Sequence, residues 1–252
     1  MAFVCALNDG AHIHEPRQDR VNELTFEVRG KLAPFVEVIL RNGEGLVCDK
    51  QAILQHDFGL TVRPWPGLDD SRWLVVNASH EDELGVMLTS REPGFAGAFD
   101  LAEHGDKLIC PSTSLLANGP GVQAGYYAKF KRLGITLVLL EGSGWAFLAS
   151  RGDVFEYQLA PGEKVCVRAH SVAAMSATVD FDHSHPICKM QDPDGKMQFS
   201  LLTGPGKIWL QSVHNTPPPQ KTVKESQEIL ASLPPVKELQ LGDLAFRPSS
   251  SA

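Results

Sequence analysis

His183 and His185 form the pair with the clearest chemical potential in the chain. On a β-strand, positions i and i+2 point to the same side, so two imidazoles at that spacing can grip one metal ion. The surroundings argue against it. No glycine stands six residues before His183, no Glu follows His185 within a few residues, and His214 lacks a P-x-G-x-x-H context. Pro186 places the pair at a strand end or in a loop. His12-x-His14 has still less around it.

The stretch Tyr126-Tyr127-Ala128-Lys129-Phe130-Lys131-Arg132 joins aromatic rings to three positive charges, a pattern able to stack on bases or hold an anion. Strand alternation accounts for it more simply. Tyr127 and Lys129 would face water while Tyr126, Ala128 and Phe130 pack inward. Glu44, Asp106 and Glu163 each follow a glycine and could be imagined converging on one site. A turn explains them better, because glycine supplies the backbone conformation and the neighbouring carboxylate accepts a backbone hydrogen bond. Nucleotide motifs are missing: Gly119-Pro-Gly121-Val-Gln-Ala-Gly125 misses the dinucleotide fingerprint by one residue, and Gly206-Lys207-Ile208 lacks the rest of a P-loop. No G-x-S-x-G elbow marks a serine hydrolase. Catalytic, cofactor-binding and metal-binding residues are therefore all expected to be none.

The elements that must position these residues repeat. Phe35-Val-Glu-Val-Ile-Leu40-Arg-Asn-Gly43-Glu44-Gly-Leu-Val-Cys48 parallels Phe155-Glu-Tyr-Gln-Leu159-Ala-Pro-Gly162-Glu163-Lys-Val-Cys-Val167. A looser copy reads Phe99-Asp-Leu101-Ala-Glu-His-Gly105-Asp106-Lys-Leu-Ile-Cys110, with one extra residue before the turn. The glycines lie 62 residues apart from 43 to 105 and 57 apart from 105 to 162, which suits a small β unit copied twice. Leu139-Leu140-Glu-Gly142-Ser-Gly144-Trp145 likewise parallels Leu201-Leu202-Thr-Gly204-Pro-Gly206-Lys, as hairpins around a G-x-G turn. A fainter first copy is Val86-Met-Leu88 followed by Pro93-Gly94-Phe95-Ala-Gly97.

Short runs such as Thr25-Phe-Glu-Val-Arg29, Leu60-Thr-Val-Arg63 and Thr178-Val-Asp-Phe-Asp182 alternate with period two, and no long helical pattern appears before residue 220. The body is expected to be all-β. The chain has 252 residues, 23 Lys+Arg against 30 Asp+Glu and a net charge of −7, a balance that opposes the phosphate field of nucleic acid. Five cysteines, with no C-x-x-C pair, sit mostly in apolar runs and read as buried thiols. The longest apolar runs fall far short of the ~20 residues of a membrane-spanning helix. The first residues carry neither a secretory signal pattern nor an Arg-rich presequence, so a cytoplasmic location is expected. From Asn215 to Ala252 six prolines crowd the chain, and Thr222-Val-Lys-Glu225 could cap a short helix through Leu233.

Three features together resemble the mitochondrial-biogenesis AIM family. They are Leu159-Ala-Pro-Gly162-Glu163, Leu202-Thr-Gly-Pro-Gly206-Lys-Ile-Trp209-Leu-Gln211-Ser212, and Lys131-Arg132 ahead of Glu141-Gly142. The resemblance runs from about Thr25 to Val213. It implies a fold related to the tryptophan RNA-binding attenuator protein, a double-stranded β-helix of three similar units, oligomerisation in many members, and a mitochondrial location in some. It brings no catalytic residues.

The expected organisation is a flexible N-terminus over 1–20 and a β-helix or barrel-like sandwich over 21–214. Its pseudo-repeats fall near 25–90, 91–150 and 151–214, followed by a Pro-rich tail over 215–252 with a helix at 222–233. The expected function is a non-enzymatic scaffold or interaction protein that forms homo-oligomers, uses no cofactor and spans no membrane. The alternatives are a cupin-like metal-dependent enzyme using His183 and His185, and an RNA or anion binder using Lys129, Lys131 and Arg132.

Overall fold

The computed structural model describes residues 3–5, 12–15, 22–30, 33–68, 72–79, 83–90, 92–131, 133–191 and 198–213. Three strands come first: β1 (Phe3–Cys5), β2 (His12–His14) and β3 (Thr25–Arg29). Eighteen more fall into sets of six. The first set is β4 (Phe35–Leu40), β5 (Gly45–Asp49), β6 (Ile53–His56), β7 (Leu60–Pro64), β8 (Trp73–Ala78) and β9 (Leu84–Thr89). The second is β10 (Gly94–Asp100), β11 (Lys107–Pro111), β12 (Leu115–Asn118), β13 (Val122–Phe130), β14 (Ile135–Gly142) and β15 (Trp145–Arg151). The third is β16 (Val154–Leu159), β17 (Lys164–Arg168), β18 (Val172–Ser176), β19 (Asp180–Asp182), β20 (Phe199–Thr203) and β21 (Gly206–Gln211).

Within every set the sixth strand pairs antiparallel with the first and third, and the fifth with the second and fourth. The third strand carries a register break at one position each time, beside Leu54, Leu116 and Ala173. Each of these residues lies eleven places after its set's turn glycine, Gly43, Gly105 or Gly162. Neighbouring sets share sheets through β5 with β12 and through β11 with β18.

Four antiparallel sheets result, in the orders β2-β3-β4-β9-β6, β1-β10-β15-β12-β5-β8-β7, β13-β14-β11-β18-β21-β16 and β17-β20-β19. The all-β body expected from the sequence is therefore present, but closure into a barrel is not. Each sheet ends in strands with a free edge among the described residues, because the joins between sets lengthen sheets instead of wrapping them.

Three apolar cores lie among these sheets, and burial explains the sequence pattern. The five-stranded sheet meets only the first core, so β4 alternates buried Val36, Val38 and Leu40 with half-buried neighbours. The seven-stranded sheet is covered on both sides: Ala96 and Ala98 enter the first core while Phe99 and Trp73 enter the second. In the six-stranded sheet Leu108 and Cys110 face the second core and Ile109 the third. Strands covered on both faces read as unbroken apolar runs, as in Trp145-Ala-Phe-Leu-Ala.

One helix, α1 (Pro186–Gln191), interrupts the strands between β19 and β20. The absence of long helical periodicity hid it, and its only signal is Pro186 at the first helical position. The weak first G-x-G copy does not form one hairpin: Val86–Leu88 lie in β9, and Gly94–Gly97 lie inside strand β10 and not in a turn. The expected helix at 222–233 and the Pro-rich tail lie outside the described residues. No helix among the described residues is long and apolar enough to cross a membrane.

Candidate functional site

The three glycine-carboxylate turns share the backbone angle of their glycine, while in the second the acidic residue is left-handed as well, with Asp106 at φ 60°. Gly43, Gly105 and Gly162 have φ of 85°, 72° and 76°, the left-handed region, and a Cβ on any of them would meet nothing within 4 Å. Backbone angle, not space, demands glycine there. The carbonyl of the next residue accepts a hydrogen bond from the end of the fifth strand in each case: Ala78 N to Glu44 O (3.0 Å), Gly142 N to Asp106 O (2.9 Å) and Gly204 N to Glu163 O (2.9 Å).

The carboxylates are used locally. Glu44 Oε2 accepts the Arg41 amide at 2.8 Å, and Glu163 Oε2 accepts the Ala160 amide at 2.8 Å. Tyr157 donates to Glu163 Oε1 at 2.9 Å. The Ala160 amide, and then the Tyr157 hydroxyl, hold the Glu163 carboxyl below its ordinary range; the same bond raises the tyrosine. In the second set of strands the turn begins with a 3-10 turn, Leu101–His104, capped by Asp100 accepting from Ala102 N at 3.1 Å.

His183 and His185 do not share a strand face. Strand β19 ends at Asp182, and both histidines lie in the link to α1. His183 packs its ring 4.4 Å from Phe130, while His185 Nδ1 accepts the Ile187 amide at 3.2 Å. Asp182 Oδ1 accepts both the amide and the hydroxyl of Ser184 at 2.8 Å, which lower its pKa. The link runs into the helix, held by the bonds that Asp182 and His185 accept within it. Among the described residues no group of three or more His, Cys, Asp or Glu side chains could hold a metal ion.

The basic stretch divides. Lys129 lies exposed on β13 and Lys131 just beyond it, while Arg132 lies outside the described residues. Alternation placed Tyr126 inward, and the structure corrects this: Tyr126 is 59% and Tyr127 47% exposed. Tyr127 sits at a register break between Tyr126, opposite Val138, and Ala128, opposite Leu137. The extra residue disrupts the ladder on an edge strand, where no neighbour covers the rings.

Sequence reasoning missed two buried polar constellations. Glu23 Oε2 lies 2.9 Å from His14 Nε2 and accepts Trp145 Nε1–H at 3.1 Å, with the histidine ring 4.8 Å from Phe26 and 4.5 Å from Trp145. Asp49, buried, accepts Arg72 Nε at 2.9 Å and Nη2 at 2.7 Å on Oδ2, and the Gln51 amide at 3.0 Å on Oδ1. Arg72 also donates to Ser112 O at 3.0 Å, tying the first set of strands to the second. Arg72 stands 23 residues from Asp49 and Trp145 stands 122 from Glu23, so no local spacing announced these two contacts.

Polar residues of the C-terminal signature are likewise occupied in tying β21 and its end to β16, to the end of β15 and to the His170 carbonyl. Trp209 Nε1 donates to Glu156 Oε2 at 3.1 Å, and Lys207 Nζ lies 2.6 Å from Glu156 Oε1. Gln211 accepts the Arg151 amide at 2.9 Å and donates to His170 O at 2.7 Å. Ser212 Oγ accepts the Asp153 amide at 2.9 Å.

Comparison with known proteins gives a consistent picture. Residues 26–213 match the profile of the family described as mitochondrial biogenesis AIM24. No curated protein matches the chain. The crystal structure of a Streptococcus pyogenes protein, determined by a structural genomics consortium, superposes with a TM-score of 0.63 at 17% identity. The match covers 82% of this chain and 98% of that one, and at that identity it speaks to the fold alone.

Proposed function

The chain belongs to the mitochondrial biogenesis AIM24 family, and from that premise we propose that it is a non-enzymatic scaffold that works through surface contacts. In this reading the body is three copies of one six-stranded, attenuator-like β-helix unit, and the protein self-associates. The family's description supports a mitochondrial association. The observation that carries the proposal is that the most distinctive polar side chains, Glu44, Glu163, Glu156, Lys207, Trp209 and Gln211, are engaged in holding turns and strands together. Side chains committed to backbone geometry are not available to bind or activate a substrate.

Neither alternative gains an observation. The cupin-like reading needs His183 and His185 on one strand face, and the RNA or anion reading sets Lys129, Lys131 and Arg132, the last outside the described residues, on a chain of net charge −7. The test is elemental analysis of the purified full chain together with titration of labelled single-stranded RNA at two salt concentrations. The expected result is no stoichiometric metal and no salt-sensitive binding. A stoichiometric metal lost in a His183→Ala, His185→Ala variant would overturn the proposal. So would RNA binding that weakens steeply with salt and disappears in Lys129→Ala, Lys131→Ala.

A further inference from the structure

The join between strand sets has a fixed register. Val47 of β5 stands opposite Asn118 of β12, and Ile109 of β11 stands opposite Met175 of β18. Val47 and Ile109 are each four residues past their turn glycine, Gly43 and Gly105, while Asn118 and Met175 are each thirteen past theirs, Gly105 and Gly162. The second strand of one set therefore always meets the third strand of the next, in the same alignment. Two halves of this join are left over at the ends of the series. Strand β6, the third strand of the first set, has β9 on one side and no other neighbour among the described residues; β17, the second strand of the last set, has only β20.

Burial marks both as unfilled. At the register break Leu116 is 4% and Ala173 6% exposed, whereas their counterpart Leu54 is 61% exposed. Gln55 and His56 are exposed where Ala117, Asn118, Ala174 and Met175 are buried. Phe58, just past β6, is fully exposed. On the other half, Val165 and Cys166 are only partly covered where Leu108 and Ile109 are fully buried.

We propose that β6 of one copy of this chain adds antiparallel to β17 of a second copy, with His56 opposite Cys166, repeating between chains the join made twice within one. The proposal rests on the three-unit reading above. An exposed strand edge is a template for another strand, and here the complementary edge lies in the same sequence with its register already defined. The chain carries both halves and leaves them unjoined, so a second copy is the occupant that satisfies each. The contact is head-to-tail, giving a ring where the rotation closes and a filament where it does not.

The experiment is light scattering of the full chain over a range of concentrations, paired with amide hydrogen exchange. We expect a mass of more than one chain, and amides of β6 and β17 whose protection rises with protein concentration. Lysine at both Leu54 and Phe58, exposed positions where the fold tolerates charge, should weaken association about tenfold or more. The same change should free the β6 and β17 amides together. The internal joins separate the two readings, because β5, β12, β11 and β18 must stay protected at every concentration. Their rapid exchange would sink the three-unit reading itself. With those joins protected, a single-chain mass throughout would overturn only the proposed assembly, as would association unaffected by the lysines.

Discussion

Gly43, Gly105 and Gly162 are required for their backbone angle alone, which makes their substitution unusually clean. Alanine at each meets open space but must adopt φ near +80°, so each change should cost about 1–2 kcal/mol, and the three costs should be alike. Gly142→Ala should cost more, because its Cβ would stand 2.0 Å from the Gly121 carbonyl oxygen. Urea unfolding of the four variants checks both the size and the grouping. The carboxylate beside the turn has its own signature. Glu163 has a folded-state pKa below its ordinary 4.5, so its stabilisation is present above that value and is lost as pH falls through the lowered one. Glu163→Gln should therefore flatten the loss of stability in acid below about pH 4.5, read as a smaller shift of the unfolding midpoint between pH 6 and pH 3. Residue types alone made these turns legible, since glycine followed by an acid beside a strand has a local explanation. The Tyr126 orientation was not legible, because one bulged residue at Tyr127 is invisible in a pattern of alternating side chains.

Between elements, the sharpest dependence is the Arg72 link. Its guanidinium reaches the buried Asp49 carboxylate from β5 and the Ser112 carbonyl beyond β11, so one side chain supports two sets of strands. Arg72→Ala would strand Asp49 without its counter-charge and should cost about 3–5 kcal/mol. Arg72→Lys should recover only part, since a point charge cannot direct Nε and Nη donors to a carboxylate and a carbonyl at once. Chemical denaturation of the two variants gives the comparison, and equal stabilities would show that charge alone, not the guanidinium fork, matters. The strands themselves were readable where one face is wet, as in Thr25–Arg29 and Asp180–Asp182. They were readable only as apolar runs where both faces are covered, so which core each residue enters could not be deduced. The Asp49–Arg72 and Glu23–Trp145 contacts join distant segments, and helix α1 is six residues long, too short for its periodicity to register.

At the scale of the whole molecule, the shared sheets should make three cores unfold as one. Cys48 lies in the first core and Cys110 in the second, and burial pushes both thiols up to about 12 from an ordinary 9.0. Near pH 8 both are protonated and shielded in the folded chain, and unfolding returns them to ordinary reactivity. Their raised folded-state pKa also means that stability is complete below pH 9 and declines as pH climbs towards 12. Labelling at pH 8 along a urea series, read by mass spectrometry at each cysteine, reports the opening of the two cores separately. The seven-stranded sheet presents Ala98 to one core and Phe99 to the other, so neither core can lose its wall without exposing its neighbour. The two thiols should therefore become reactive at one urea concentration. Ile109→Ala tests how far this coupling extends, because Ile109 faces the third core from a strand whose Leu108 and Cys110 line the second. Truncating a fully buried isoleucine should cost about 2–5 kcal/mol. Under a single transition it should lower the labelling midpoints of Cys48 and Cys110 equally, although neither belongs to the third core. Separate midpoints, or a shift at Cys110 alone, would show that the cores open one after another and that the shared sheets do not bind them into one cooperative body.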